Sequence, residues 1–421
     1  MLVVTSNWCV SDGTLSAGPP RGYLDRFRAE VRKACLRGGF RRDGSYRPVD
    51  AIDVVLAGDT FDWLVSREWT DDVRPWDGGR RAAAARDRVV LGAIGRGHRL
   101  LATLAAWFRR GIEVPMADRR GRPMPMASSP VRVRVAMLSG DRDRCLEQVV
   151  SGSMLSTSDL SVGTCWSDGD VAVRHGEEMD PLHVACGREP TLGESLAVDL
   201  IARFGAAIDD LVELRPVAAG LVRRLAGGRI IDAPLRLVGW LSAHEGGGTL
   251  PTTARQGLLD AWHRSVDLWH RAARRLPSGG DAGVDLVERI VDWLDRAASG
   301  NGEPPRPRFD AIPGSGVPLC GEAATTVVLG HPAADPRASA AWRRQVVCLG
   351  PGALHTSDPL GDDLHGPAAV SVRPGCEGPQ IEWLSPHNGA ATPGWQDGDR
   401  PVRGVWLSAP PRGETGIVDA A

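Results

Sequence analysis

The sequence predicts an α/β fold in which buried strands alternate with helices and end in polar residues. The apolar run at 54–57 has the length and β-branched content of a buried strand, and it ends in Gly58 and Asp59. A second run, at 131–138, is followed in the same way by Gly140 and Asp141. Surface turns often carry Asp, so one such strand end is weak on its own. Two of them, at the edge where open α/β sheets hold their ligands, predict a functional site.

The remaining elements of the first half follow in order. Residues 2–5 form a predicted strand, and Gly22 to Leu36 a predicted helix. The stretch from Arg80 to Arg110 is helical, with its large apolar residues on one side, and ends at Gly111. Residues 115–130 are rich in Pro, Met and Arg and predict a loop. A strand at 171–174 then ends in His175.

The second half changes character at about residue 190. Helical spacing dominates at 192–226, 252–275 and 283–298, with Gly- and Pro-rich breaks between these segments. Short strands return afterwards, and the one at 325–329 ends in Gly330 and His331. We therefore expect the following division: a core made of 1–189 and 320–385, an inserted helical cap at 190–300, and a flexible tail at 386–421.

Composition excludes several classes of function. The 421 residues are 42% apolar and 24% charged, which is typical of a globular protein with a substantial core. A formal net charge of -2 gives no reason to expect nucleic acid as a partner. No transmembrane segment or basic-then-apolar leader is recognisable. The eight cysteines include no Cys-x-x-Cys pair, so we expect reduced thiols and a cytoplasmic location.

Five predicted strand ends present residues that can bind a metal ion. They carry Asn7 with Cys9, Asp59 with Asp62, Asp141 with Arg142 and Asp143, His175, and His331. A mixture of carboxylates and imidazoles suits Mn, Fe or Zn. A bridging carboxylate such as Asp59 would let two ions sit about 3.5–4 Å apart and clamp a phosphoryl group.

This order of motifs resembles the calcineurin-like metallophosphoesterases, whose motifs run Asp-x-His, Gly-Asp-x-x-Asp, Gly-Asn-His-Asp, His-Gly and Gly-His-x-His. The matching segments are Leu2–Cys9, Gly58–Asp62, Gly140–Asp143, His175–Gly176 and Gly330–Ala333. The resemblance implies an α/β/β/α sandwich of two facing sheets with an inserted helical cap. The run from His175 to Pro181 is most similar to the branch that contains UDP-diacylglucosamine pyrophosphohydrolases.

The departures from these motifs fall mainly on one of the two ions. The positions that would supply its Asp and His hold Asn7 and Cys9, and the second His of the last motif is Ala333. An amide oxygen and a thiolate are still possible ligands. The second ion would keep Asp59, His175 and His331, with Asp141 in place of the family's Asn. The resemblance therefore implies one ion at most.

Arg142 replaces the histidine that contacts the phosphate and protonates the leaving group in the family. A guanidinium can bind a phosphoryl oxygen but cannot give up a proton at neutral pH. We predict Arg142 and Asp143 as the residues nearest to any remaining catalysis. The resulting expectation is a pseudoenzyme that binds a phosphorylated small molecule or a protein partner. The alternatives are a single-metal phosphoesterase or pyrophosphohydrolase acting on a phosphorylated small molecule or lipid precursor, a decayed site whose polar residues satisfy one another, and an unrelated fold.

Other histidines could in principle replace a lost ligand. His263 and His270 are two helical turns apart, about 10.5 Å along the axis, which is too far for one ion. His244 with Glu245, and His355 or His365 with nearby Asp residues, fall in predicted loops that the sequence does not place.

Overall fold

The structure is a computed structural model of the chain. It describes residues 1–16, 18–19, 22–70, 73–151, 160–180, 182–183, 190–227, 230–245, 251–276, 280–298, 326–329, 345–349, 368–373 and 380–384. His331, Ala333, His355, His365 and the predicted tail at 386–421 lie outside the described residues.

Strands and helices alternate in the first half, and helices dominate from 192 to 298. The strands are β1 Leu2–Ser6, β2 Val10–Ser11, β3 Ala51–Ala57, β4 Phe61–Asp62, β5 Ile112–Ala117, β6 Pro123–Leu138, β7 Leu160–Gly163, β8 Cys165–Asp168, β9 Val171–Arg174, β10 Thr326–Leu329, β11 Gln345–Cys348, β12 Ala368–Arg373 and β13 Gln380–Leu384. The helices are α1 Tyr23–Gly38, α2 Arg80–Arg110, α3 Leu146–Ser151, α4 Leu192–Ser195, α5 Arg203–Asp209, α6 Arg215–Ala226, α7 Ala233–Glu245, α8 Thr252–Ala273 and α9 Gly280–Ala298.

The larger sheet has seven strands in the order β13-β12-β1-β3-β6-β5, with β7 also paired to β6. Strands β1, β3, β6 and β7 are parallel, with Leu2 opposite Asp53 and Ala51 opposite Arg132. Strands β12 and β5 are antiparallel to their neighbours β1 and β6. This is a mixed α/β architecture, so the predicted fold class is confirmed at that level. The parallel strands bring the loops that follow β1, β3 and β6 to one edge.

A second sheet, in the order β11-β10-β9-β8, packs against one face of the first. Alternate residues of the large sheet point towards it, because successive side chains of a strand face opposite ways. Val4, Val55 and Leu138 share one apolar cluster with Val173 and Val328 of the small sheet. This packing places the end of β9 beside the ends of β1, β3 and β6.

Helices α1 and α2 cover the opposite face of the large sheet. The intervening residues of the strands, such as Val3 and Leu56, are buried with Phe27 of α1 and with Val89 and Leu104 of α2. Helix α2 has the predicted bounds. Its apolar positions recur every three or four residues, which is why the sequence revealed it.

The helical region begins with a capping box at Thr191 and Glu194, and a π-helical segment, Leu196–Ala202, joins α4 to α5. The prediction of one helix over 192–226 is wrong, because a break between Asp209 and Arg215 separates α5 from α6. Helix α7 was missed, since most of its sides are apolar and the spacing gives no clear face. Within the described part of the chain, no helix is both long enough and apolar enough to cross a membrane.

Two further predictions need correction. The stretch 115–130 is a β-hairpin of β5 and β6, not a loop. Its Pro and Met content hid the strands, because most of its side chains are exposed and no buried apolar face marks the stretch. Cys165 is disulfide-bonded, contrary to the expectation of reduced thiols throughout, whereas Cys9, Cys35 and Cys145 are free.

Candidate metal centre

Backbone hydrogen bonds join the loops that follow β1, β3 and β6. The amide of Cys9 donates to the carbonyl of Asp59 (2.8 Å), and that of Asn7 donates to Gly58 (3.4 Å). The amide of Trp63 donates to the carbonyl of Arg142 (3.3 Å). Four of the five predicted strand ends, including the one at His175, therefore meet at one place. The fifth, at His331, lies outside the described residues.

Backbone strain is concentrated in these loops. Among the described residues other than glycine, positive φ angles occur at Asn7 (58°), Cys9 (45°) and Asp59 (51°). Such conformations are unfavourable for residues with a Cβ atom. They persist where contacts with the surrounding structure hold the backbone in place, commonly at functional sites. All three positions were candidates from the sequence.

Asp59, Asp141 and His175 form a buried cluster that could hold a metal ion. One ligand atom from each lies within 4.8 Å of the other two. Nε2 of His175 is 3.0 Å from Oδ1 of Asp141 and 3.4 Å from Oδ2 of Asp59. Nδ1 of His175 is 2.9 Å from the carbonyl oxygen of Ala57, which fixes the ring orientation.

Electrostatics favour a positive charge at this point. Burial by itself lowers the pKa of His175, but Asp59 and Asp141 raise it by more, so that it lies well above its ordinary value. Both ring nitrogens then carry hydrogens, one facing Ala57 and one facing the carboxylates. The imidazolium thus sits where its own proton and a metal ion would compete for Nε2.

Arg142 also lies beside Asp59 and is itself buried. Its Nη1 donates to Oδ2 of Asp62 (2.9 Å), and its Nε is 3.5 Å from Oδ2 of Asp59. Its Nη2 donates to the carbonyl oxygen of Ala226 at the end of α6. Burial lowers the pKa of Arg142, yet Asp62, Cys9 and Asp59 more than compensate, so the pKa is raised and the charge is permanent.

The carboxylate of Asp143 links the backbone of two loops of this site by accepting a hydrogen bond from each. Its Oδ1 accepts the amide hydrogen of Gly140 (2.7 Å), and its Oδ2 accepts that of Phe61 (3.1 Å). Burial, helped by Asp59, raises the pKa of Asp143 to about 7. The carboxylate is a clamp between two loops, and a catalytic role for it stays a prediction.

Asn7 and Cys9 lie in the loop next to the cluster that could hold a metal ion. Among the described His, Cys, Asp and Glu side chains, Cys9 is not part of the three-residue group. Burial raises the pKa of Cys9 well above its ordinary value, with Arg142 opposing that shift. A neutral thiol is a poor metal ligand. Ligation by Asn7 stays a prediction.

His183 is a buried site residue that sequence reasoning missed. Its Nε2 is 3.7 Å from Oδ2 of Asp141, on the side away from His175. Its ring lies so close to Gly193 that a Cβ there would be 2.1 Å from Cε1. The signal was available in the sequence: His183 ends the run that starts at His175, eight residues earlier, and Asp180 closes the intervening turn by accepting the amide hydrogen of Leu182 (3.0 Å).

The histidines of α8 serve a different purpose. His270 is 3.0 Å from Glu288 and His263 is 3.5 Å from Asp295, so both pair with carboxylates of α9. Trp262 and Trp269 are fully buried between the helices. The expectation that this heptad spacing reflects packing rather than a metal site agrees with these contacts.

Three comparisons with known proteins returned no match. No family model, no curated protein and no solved structure matches the chain. Fold and site define a mixed α/β protein with a buried Asp59–Asp141–His175 cluster that could hold a metal ion.

Proposed function

We propose that this chain is a divergent metallophosphoesterase-like protein that holds one divalent cation and binds a phosphorylated small molecule or protein partner without efficient hydrolysis. The observation that carries the proposal is the buried cluster of Asp59, Asp141 and His175, with a permanent guanidinium charge beside it. Two carboxylates and an imidazole fit Mn, Fe or Zn. His331 completes the proposed ligand set.

The case for one ion rests on Arg142. Its charge lies against Asp59 and Asp62 and would repel a second cation beside these carboxylates. Asn7 and Cys9, which offer little negative charge, do not compensate.

The case against efficient turnover rests on proton transfer and on free donors. Arg142 has no proton to give at neutral pH, and its donors are engaged by Asp62, Asp59 and Ala226. The bound ion would supply a Lewis acid for a phosphoryl oxygen.

A second candidate function, single-metal hydrolysis of a phosphoester or pyrophosphate, is favoured by His183. This imidazole lies beside Asp141 and, unlike a guanidinium, is a group of the kind that serves as a general acid or base. His183→Gln would then abolish turnover while metal binding persists.

Metal binding gives the direct test. Titration calorimetry with Mn²⁺ or Zn²⁺ should show one ion per chain, and Asp59→Asn should weaken its binding by about 100-fold, because a charged ligand is lost. Asp53→Asn is the matched control, since Asp53 lies on β3, the strand that precedes Asp59, and pairs with Arg134, away from the site. It should leave the affinity unchanged.

The same preparations separate the two candidate functions. The proposal expects negligible turnover of a generic aryl phosphodiester with added Mn²⁺. Robust turnover that Asp59→Asn abolishes would replace it with the hydrolase. A protein that takes up no divalent ion would refute both.

Metal binding should strengthen as the pH rises. Protonated His175 stabilises the metal-free fold below its unfolded pKa, and this contribution disappears as the pH passes its raised folded pKa. Asp143 and Glu177, both with a pKa raised to about 7 by burial, act in the same direction. As the pH rises from about 6 through the raised pKa of His175, the Tm of the metal-free protein should fall and the gain in Tm on adding metal should grow. A gain that shrinks over this range would contradict the assignment of His175 as ligand.

A cytoplasmic location stays a prediction from the sequence. The disulfide at Cys165 is unusual for that compartment.

A further inference from the structure

The hairpin of β5 and β6 extends beyond the sheet at the end opposite the metal centre. Residues 132–138 of β6 pair with β3, whereas residues 123–131 pair, among the described strands, with β5 alone. We call residues 115–130 the hairpin arm. Strand β6 runs from the arm to the loop of Asp141, a span of about 50 Å at the usual rise per residue.

Exposed apolar side chains are concentrated on this arm. Met126 is 98% exposed, Met116 44% and Met124 36%. Met116 and Met124 are cross-strand partners, and Met126 lies where a register shift leaves residues 125–127 unpaired with β5. With Phe40, at 46%, these residues account for four of the seven exposed large apolar side chains in the described part of the chain.

Phe40 belongs to the same surface, because the loop at 40–46 braces the arm. The amide of Tyr46 donates to Gly121 (2.6 Å), and its hydroxyl donates to the carbonyl of Pro115 (2.9 Å). The rings of Phe40 and Tyr46 are 5.2 Å apart. The braced arm is therefore a fixed projection.

The arm and its brace are also basic. Five arginines are exposed here, against two carboxylates: Arg41, Arg42, Arg119, Arg120 and Arg122 against Asp43 and Asp118. The difference, five minus two, is +3, on a chain whose formal net charge is -2. Asp118 closes the hairpin turn by accepting the amide hydrogens of Arg120 and Arg122 (both 2.8 Å).

We propose that the hairpin arm docks on the surface of an anionic lipid bilayer. Flexible methionine side chains gain from entering the boundary between headgroups and acyl chains, and arginines at the same tip are attracted to anionic headgroups. A nucleic acid would use the arginines but not the methionines. The arm offers a convex tip, whereas a peptide ligand calls for a groove. Docking this way leaves the metal centre facing away from the membrane.

Vesicle flotation tests the proposal. The probes are phosphatidylcholine vesicles and the same vesicles with about 30% phosphatidylglycerol, the anionic lipid that the arginines require. The full chain should float with the anionic vesicles and not with the neutral ones. The variants Met124→Ser with Met126→Ser, and Arg119→Gln with Arg120→Gln and Arg122→Gln, should each reduce the partition coefficient at least about tenfold.

Matched controls come from exposed positions elsewhere. Leu91→Ser with Val212→Ser removes exposed apolar side chains from helices and turns away from the arm, and Arg271→Gln with Arg275→Gln removes exposed charges. Neither pair should alter flotation, and neither should Asp59→Asn, because docking does not depend on the metal centre. All of the altered side chains on the arm are exposed, and circular dichroism checks that the variants fold.

Three results would overturn the proposal. One is equal flotation of the arm variants and the wild type. Another is arm-dependent binding to an oligonucleotide with no binding to anionic vesicles. The third is a change from dimer to monomer in the arm variants without any effect on vesicles, which would make the arm a contact between copies of the chain.

Discussion

Arg142→Met should lower the free energy of unfolding by about 3–5 kcal/mol, the usual cost of removing one partner from a buried ion pair. The guanidinium is buried, and three acceptors surround it: carboxylates of Asp62 and Asp59 and the carbonyl of Ala226. Methionine fills much of the volume but leaves Asp62 charged, buried and without its counter-charge. Chemical denaturation measures the loss.

Arg67→Met is the matched control, because Arg67 pairs with Asp209 and Asp210 at the surface. An exposed pair is worth at most about 1 kcal/mol, so this variant should be nearly as stable as the wild type. Equal losses in the two variants would contradict the assigned role of Arg142.

Asp62→Asn, added to Arg142→Met, should recover about half of the loss. The amide oxygen can still accept the backbone hydrogens of Leu64 and Val65, which Oδ1 of Asp62 accepts at 3.1 Å. Burial already raises the pKa of Asp62, with Arg142 opposing it. The single variant should therefore lose less stability at lower pH, where Asp62 becomes protonated.

Gly58→Ala should cost about 3–5 kcal/mol of stability and reduce metal affinity by about 100-fold. Gly58 has a φ of +82°, and a Cβ there would be 2.3 Å from Nδ1 of His175. The ring would have to leave the carbonyl of Ala57 and with it the position beside Asp141.

Gly44→Ala is the control that separates backbone strain from the clash between the new Cβ and a neighbouring side chain. Gly44 has a similar φ of +79°, and nothing lies within 4 Å of its Cβ position. The Gly44→Ala variant should lose only the free energy that corresponds to backbone strain, about 1 kcal/mol of stability, and its metal affinity should be unchanged. If Gly58→Ala behaves like Gly44→Ala, His175 does not depend on this glycine for its position.

The sequence predicted those elements of the fold that depend on the spacing of apolar residues along a short stretch of chain. Apolar runs that end in Gly-Asp predicted β3 and β6, and helical spacing predicted α2 and α8. The meeting of Asp59, Asp141 and His175 followed from parallel strands having their carboxyl ends at one edge. The hairpin arm was missed because its exposed strands have no buried apolar face, and α7 because buried helices lack a polar face.

Other features depend on contacts that no local pattern contains. Ala226 is 84 residues from Arg142, and nothing in an Arg-Arg-Leu-Ala-Gly segment marks a carbonyl that a buried guanidinium will need. His183 could have been proposed as a nearby histidine, but its distance to Asp141 depends on how the turn at Asp180 folds. The two aspartates of the Gly-Asp-x-x-Asp motif also differ in role: both contact Arg142, but only Asp59 belongs to the cluster that could hold a metal ion.

The hydrogen bond from Arg142 to Ala226 gives the helices a part in the electrostatics of the core. The last carbonyl of α6 carries the negative end of that helix's dipole, and it touches the same guanidinium that faces Asp59. If α6 withdrew, the charge beside Asp59 would lose a partner in a place that water does not reach. The α/β core and the helices that follow it are thus expected to lose their structure together.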